Sequence, residues 1–212
     1  MTGNPAPFIL GPDFFWAIKI MQPALPGIIP AGITDRYQGG CQSIERQTIM
    51  GSKIVARPLT SEAFAEFGEV IETKGAQQIS INNGQCTRFH DLATIQFSGP
   101  DARPLVNIFS SSPCALPLEL KMVERHPLGS QAFIPFSRDP FLVIVARDRQ
   151  GTPETPEVFI TSSGQGVNIR QNTWHGVLSP LYKSADFLVI DRGGEGDNLE
   201  EYFYPEPSVV TV

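Results

Sequence analysis

Apolar and polar positions along most of this chain alternate with the short period of extended strands, and turn-forming residues separate the runs. From residue 54 onward, "IVARPL", "EVIET", "RFHDLATIQF", "PLVNIFS", "LELKMVERH" and "QAFIPF" each read as a strand. "FLVIVARD", "PEVFITS", "VNIRQ", "HGVLSP" and "ADFLVIDR" continue the series. The exception is "TSEAFAEFGEV", which predicts one short helix over 60–67. There Thr60 stands as the N-cap, Glu62 lies in the first turn and Gly68 follows the last. Many short strands punctuated by Gly and Pro predict a mainly β domain, a barrel or jelly-roll sandwich, over 54–212.

The first stretch of chain does not share this pattern. "MTGNPAPFILGPDFFWAIKIMQPALPGIIPAGITDRYQGG" is broken by Pro and Gly and keeps neither the helical nor the strand period. It predicts a poorly ordered extension over 1–53, with a start codon assigned too early as one origin. The rival reading is an arm whose apolar residues dock on this or another subunit. "FFWAIKIM" within it is too short to span a bilayer and contains Lys19. At the other end, "GGEGDNLEEYFYPEPSVV" is acidic and is expected to pack peripherally through Phe203 and the neighbouring tyrosines.

Charge narrows the partners. The chain has 16 Lys plus Arg against 22 Asp plus Glu, a net charge of −6. That balance gives no reason to favour nucleic acid or an anionic membrane surface. An anionic substrate would have to be held by a few local donors. Cys41, Cys86 and Cys114 are isolated, with no CxxC, and read as reduced thiols of a cytoplasmic protein.

Candidate chemistry gathers around the three histidines, His90, His126 and His175. In "VERHPLGSQAFIPF", Glu124 and His126 are two apart and leave the same face of a strand. Pro127 and Gly129 then bend the chain and can bring Gln131 back towards that face. Arg125 points to the other side, where a surface salt bridge is its expected role. Arg88 flanks His90, and Asn172 lies near His175. Taken singly, each histidine is more often a buried, hydrogen-bonded imidazole than a catalyst. Polar groups at same-face spacing in several strands favour a site instead.

The stretches around His126 and His175 resemble the two motifs of the cupin superfamily. Glu124-x-His126 stands where the superfamily has His-x-His, Gln131 at its acidic position and His175 at its last histidine. A carboxylate, an amide and two imidazoles can hold a divalent metal with a weaker field than three imidazoles and a carboxylate. A metal-free polar pocket of the same shape remains the alternative.

"INNG", "FHDLA", "ERHPLGSQAFIP", "QGVNIRQNTWH" and "DFLVIDRGG", in that order, resemble the ureidoglycolate lyase (ureidoglycolate hydrolase) family from about residue 54 to about 200. That family often carries a second histidine after "WH", where this chain has Gly176. The resemblance implies a cupin-like β fold, a homodimer and cleavage of ureidoglycolate to glyoxylate and urea in allantoin breakdown. Such a reaction needs a base for the hydroxyl proton, an acid for the departing nitrogen and donors for the carboxylate. His126, His175 and Glu124 are the candidate catalytic groups. Gln131 and Asn83 suit the urea amide, and Arg88, His90 and Arg192 are candidates for holding the carboxylate. A metal such as nickel, if bound, would take Glu124, His126, Gln131 and His175. Two other readings remain open: a metal-dependent cupin isomerase or dioxygenase, and a non-catalytic carboxylate-binding cupin.

Overall fold

The computed structural model describes residues 51–212. The expected extension over 1–53 therefore lies outside the described residues up to residue 50, and Lys53 already belongs to the first strand. In chain order the elements are β1 (Lys53–Val55), β2 (Arg57–Pro58), the helix α1 (Ser61–Phe64), β3 (Gly68–Ile71), β4 (Gln77–Ile81) and β5 (Cys86–His90). They continue as β6 (Arg103–Ser111), β7 (Leu118–Arg125), β8 (Gln131–Pro135), β9 (Phe141–Ala146), β10 (Asp148–Arg149) and β11 (Thr152–Pro153). The remainder are β12 (Glu157–Ile160), β13 (Gly166–Ile169), β14 (Trp174–His175), β15 (Ser179–Pro180), β16 (Ala185–Gly193) and β17 (Glu200–Thr211). No helix among the described residues is long and apolar enough to cross a membrane.

Two sheets form the body, a cupin-type β-barrel. The larger runs β1-β17-β7-β14-β9-β12-β2, with β15 also on β9, and the smaller runs β3-β13-β8-β16-β6. Their facing sides build one apolar interior, from Val143, Val145 and Phe159 on one sheet and Phe133, Val167 and Val189 on the other. β9 is buried at every position, because its alternate residues Leu142, Ile144 and Ala146 enter a second cluster with Trp174, Val158 and Val210. A strand covered on both faces reads as a continuous apolar run, and "FLVIVA" is one. Each fully buried Phe or Val there contributes about 1.5–3 kcal/mol relative to exposure.

Local signals explain most of the elements, and three depart from expectation. The helix is one turn rather than two. The Thr60 hydroxyl accepts from Ala63 N at 3.2 Å, but Phe67 N then bonds Phe64 O and the chain tightens towards β3. That turn places Phe64 edge-on against Phe159, with ring centroids 5.7 Å apart. "RFHDLATIQF" is a strand only to His90, because Asp91 takes a left-handed φ of 56°. The following loop crosses the outward face of the smaller sheet, where Thr94 O accepts from Asn168 Nδ2 at 3.0 Å. The acidic tail does not pack peripherally: β17 is a strand of 12 residues paired with β7 and β1. Its alternation turns Tyr202 and Tyr204 to the core and leaves Phe203 65% exposed.

Candidate functional site

The apolar interior turns polar over a single strand period. On β16, Val189 is fully buried and Asp191, two residues on, is half-buried. On β8, Phe133 lies in the core and Gln131, two residues earlier, is buried beside it. β7 supplies Glu124, and β14 supplies His175 directly opposite it across the antiparallel ladder. His126 follows β7 with its side chain on the same side as Glu124, as period-two alternation requires. Four strands of two sheets thus bring Glu124, His126, Gln131, His175 and Asp191 together. The turn between β7 and β8 makes this compact: a Cβ on Gly129 would lie 2.5 Å from Cβ of Arg192, so glycine alone fits there.

Hydrogen bonds fix the imidazoles. His126 Nδ1 donates to Asn198 O at 2.7 Å, and His175 Nδ1 donates to Gly176 O at 3.1 Å. A carbonyl can only accept, so both rings carry their proton on Nδ1 and present an unprotonated Nε2. The ring centroids are 5.2 Å apart, and His126 Nε2 lies 4.0 Å from Glu124 Oε1. His175 Nε2 is buried and has no hydrogen-bond partner among the described residues. Ligand atoms of Glu124, His126 and His175 all fall within 4.8 Å of one another, a separation that a single cation can bridge. Gln131 is within hydrogen-bonding reach of both His126 and Asp191, and Asn107 Nδ2 donates to Asp191 Oδ1 at 3.0 Å.

Burial drives every titratable group of this pocket towards its neutral form. It raises Glu124 to about 7, with the Glu201 carboxylate across the ladder adding to the effect. Asp191 is raised as well, against the opposing pull of His126, Gln131 and Asn107. His126 is lowered by burial despite its bond to Asn198. His175 falls to about 3, through burial first and the neighbouring His126 second. An acid that keeps its proton near neutrality stands beside an imidazole that has given its own up. Such a pair can donate and accept in one turnover.

Other expected residues stand elsewhere. Arg192 neighbours Asp191 in sequence but leaves the opposite face of β16. Its guanidinium donates to the carbonyls of Ser98, Gly194, Pro100 and Glu195 at 2.5–3.1 Å. It holds loops together through these bonds, and its side chain lies on the face of β16 away from the pocket. Asn83, Arg88 and His90 belong to the β4–β5 hairpin, a two-stranded sheet separate from the barrel. Asn83 and Arg88 are exposed there, so the structure does not bring them into the buried pocket. Arg125 faces away from Glu124, as alternation predicted, and pairs with Glu200 and Asp148 while stacking on Trp174. A histidine in place of Gly176 would not reach the pocket either. Position 176 turns away from it, and a Cβ there would meet Ile144 Cβ at 2.9 Å.

Asp191 and Glu201 were not singled out from the sequence. The signal for Asp191 was available: Phe187, Val189 and Asp191 share one parity in "ADFLVIDR", so an acid stands where the core face continues. Glu201 carried no such signal, because its partner across the ladder is set by the register of β17 on β7. Asn198 acts on His126 through its backbone carbonyl and therefore leaves no mark of residue type.

Comparison with known proteins bears on this site. The family model described as ureidoglycolate lyase matches residues 51–211. A ureidoglycolate lyase of Chelativorans sp. (strain BNC1) is 58% identical over 155 residues, covering 73% of this chain and 94% of the relative. Ureidoglycolate lyase 2 of Rhizobium meliloti (strain 1021) is 57% identical, over 71% of this chain and 93% of its own length. A ureidoglycolate lyase of Mesorhizobium japonicum is 54% identical, over 72% and 94%.

Proposed function

Since the chain belongs to the ureidoglycolate lyase family, we propose that it splits ureidoglycolate into glyoxylate and urea at the Glu124–His126–His175 pocket. The observation that carries the site is the partly buried Glu124 carboxyl 4.0 Å from His126 Nε2, with burial raising the acid to about 7 and lowering the imidazole. Ureidoglycolate carries a hydroxyl, a carboxylate and a ureido nitrogen on one carbon. His126 Nε2 takes the hydroxyl proton as the C–O bond becomes a carbonyl. The electron pair of the breaking C–N bond stays on nitrogen, and Glu124 supplies the proton that makes urea a neutral leaving group. No water is consumed. The proton on His126 then returns to Glu124 between turnovers. Transfers positioned in this way typically contribute roughly 10²–10⁴-fold. His175, neutral, bounds the pocket next to His126, and Gln131 can both donate and accept towards the ureido amide. Asp191 steadies His126 and Gln131 from β16.

A second reading uses the same donors for a divalent cation such as nickel, and the buried, partnerless His175 Nε2 favours it. The set fits: two imidazoles whose Nδ1 bonds turn Nε2 towards the pocket, one carboxylate and a nearby amide oxygen. When bound, the cation would supply Lewis-acid polarisation and a counter-charge for the carboxylate. Glu124, His126 and His175 would then hold it, and Asp191, kept protonatable by burial, would become the pocket's remaining proton carrier. Elemental analysis of the purified chain separates the two readings. A stoichiometric metal whose removal abolishes turnover supports the second, and full activity after chelation supports the first.

A homodimer and a cytoplasmic location complete the proposal. Free thiols at Cys86 and Cys114 support a reducing compartment. The deciding assay mixes the full chain with ureidoglycolate and follows glyoxylate, urea and ammonia. Glyoxylate and urea in equal amounts are expected. Ammonia in place of urea would mean amidohydrolase chemistry and end the lyase reading.

A further inference from the structure

The outward face of the smaller sheet carries an apolar row that nothing among the described residues covers. Ile108 on β6 pairs with Leu188 on β16, and Leu188 pairs in turn with Ile134 on β8. Residues paired across a ladder share a face, so these three form a line over three adjacent strands. Val106 and Phe136 extend it, and exposures of 64% for Ile108, 69% for Val106 and 60% for Phe136 show how open it is. Scattered apolar residues on a surface are ordinary, but a contiguous patch on a sheet face marks an interface. β6 is moreover the edge of its sheet, with its second side unpaired.

A second feature of the same chain lacks support. The β4–β5 hairpin pairs with no other strand among the described residues, and a two-stranded ribbon alone is marginal in water. Its register puts Ile79 opposite Arg88 and Ile81 opposite Cys86, so one face of the ribbon presents two isoleucines beside an arginine. The sheet face matches this in apolar character and in charge. Next to its apolar row, on the same parity of β16, Asp186 is exposed and held by the Ser110 hydroxyl at 2.5 Å.

We propose that the outward face of β6, β16 and β8 is the contact with a second copy of this chain, and that the second copy's β4–β5 hairpin lies on it. Ile79 and Ile81 of the hairpin cover the Ile108–Leu188–Ile134 row, and Arg88 meets Asp186. The two-fold relation makes the exchange reciprocal, so each copy gives a hairpin and receives one. Reciprocity doubles the buried area towards the roughly 800 Å² per partner that stable interfaces need. Arg88 then has a task outside the pocket. The inference rests on the dimer proposed above and adds which surfaces make it.

Molar mass in solution tests it, measured by light scattering on the full chain at micromolar concentration. Wild type should have the mass of two chains, and Ile108→Asp and Ile79→Asp should each give the mass of one. Arg88→Asp and Asp186→Arg should each weaken association at least tenfold, and the double variant should restore it. All four positions are at the surface or near it, and circular dichroism melts verify folding. A monomeric wild type would overturn the dimer and this interface together. A dimer that survives Ile108→Asp would overturn the sheet face and leave the dimer standing. Loss with Ile108→Asp, but with neither Ile79→Asp nor the charge exchange, would overturn the hairpin as the occupant.

Discussion

Between the two sheets, Glu124, His126, Gln131, His175 and Asp191 are held by β7, β8, β14 and β16, each strand braced by neighbours on both sides. On the β4–β5 hairpin, Asn83, Arg88 and His90 are held only by each other's strands. Both regions are rich in groups that can bind or transfer protons. The first buries His126, Gln131 and His175 while Asn83 and Arg88 of the second are exposed, and desolvation is what moves Glu124 to about 7 and His175 to about 3. The contrast teaches that burial and bracing are what set the protonation of these groups apart. The residue types alone do not do so. The hairpin leaves Asn83 and Arg88 exposed in the single chain, where an arginine serves recognition between surfaces better than catalysis.

The largest effect that can break this comparison is on His126. His126→Ala removes the proposed base and should lower kcat by about 10²–10⁴-fold, with KM changed much less. Melting temperature separates this from unfolding, since His126 also bonds Asn198 O. Near-normal turnover in a folded variant would reduce the pocket to a packed strand end.

Glu124→Gln comes next and carries a sign that a structural role would not produce. It should cost about 10²-fold in kcat, yet stabilise the chelator-treated protein at alkaline pH. The folded carboxyl titrates near 7 and the unfolded one near 4.5. Its contribution to stability is therefore intact below 4.5 and is lost as pH rises towards and through 7. Each unit of separation corresponds to about 1.4 kcal/mol. Glutamine does not ionise, so the melting temperature of the variant minus that of wild type should grow between pH 4.5 and 8. A difference that shrinks over this range would mean that Glu124 is ionised and stabilising in the fold.

Arg192→Met sharpens the contrast from the other side, because Arg192 is buried but turned away from the pocket. Loss of its bonds to four carbonyls should cost about 3 kcal/mol, or roughly 10 °C in Tm. KM should stay close to wild type. A selective rise in KM would return Arg192 to the substrate carboxylate.

How much of this was legible beforehand follows from range. Strand alternation put Glu124 and His126 on one face and Arg125 on the other, and the structure agrees, because that rule acts over two residues. The same rule applied to "ADFLVIDR" gives Asp191 inward and Arg192 outward, whereas proximity to "DRGG" had favoured Arg192. The pairing of His175 with Glu124, and of Glu201 with Glu124, depends on register between strands far apart in the chain. No local pattern encodes that register. "QQISI" was invisible as a strand for a related reason: it is exposed at all positions but Ile79, and its pairing with β5 holds it extended. In the tail, "YFYP" did contain the alternation that separates Tyr202 and Tyr204 from Phe203.

The smallest expected effect lies on the hairpin. Arg88→Ala changes an exposed side chain of the hairpin. Surface substitutions of this kind usually fall within about 0.5 kcal/mol, or roughly twofold in kcat/KM. The assay should be run at saturating and at low ureidoglycolate, so that a binding defect cannot hide beneath an unchanged kcat. If Arg88→Ala raised KM tenfold or more with kcat intact, the hairpin would have to reach a substrate carboxylate, and its separation from the pocket would be wrong. Twofold or less, beside the large loss at His126, would leave the buried strands as the seat of the chemistry and the hairpin as a surface for docking.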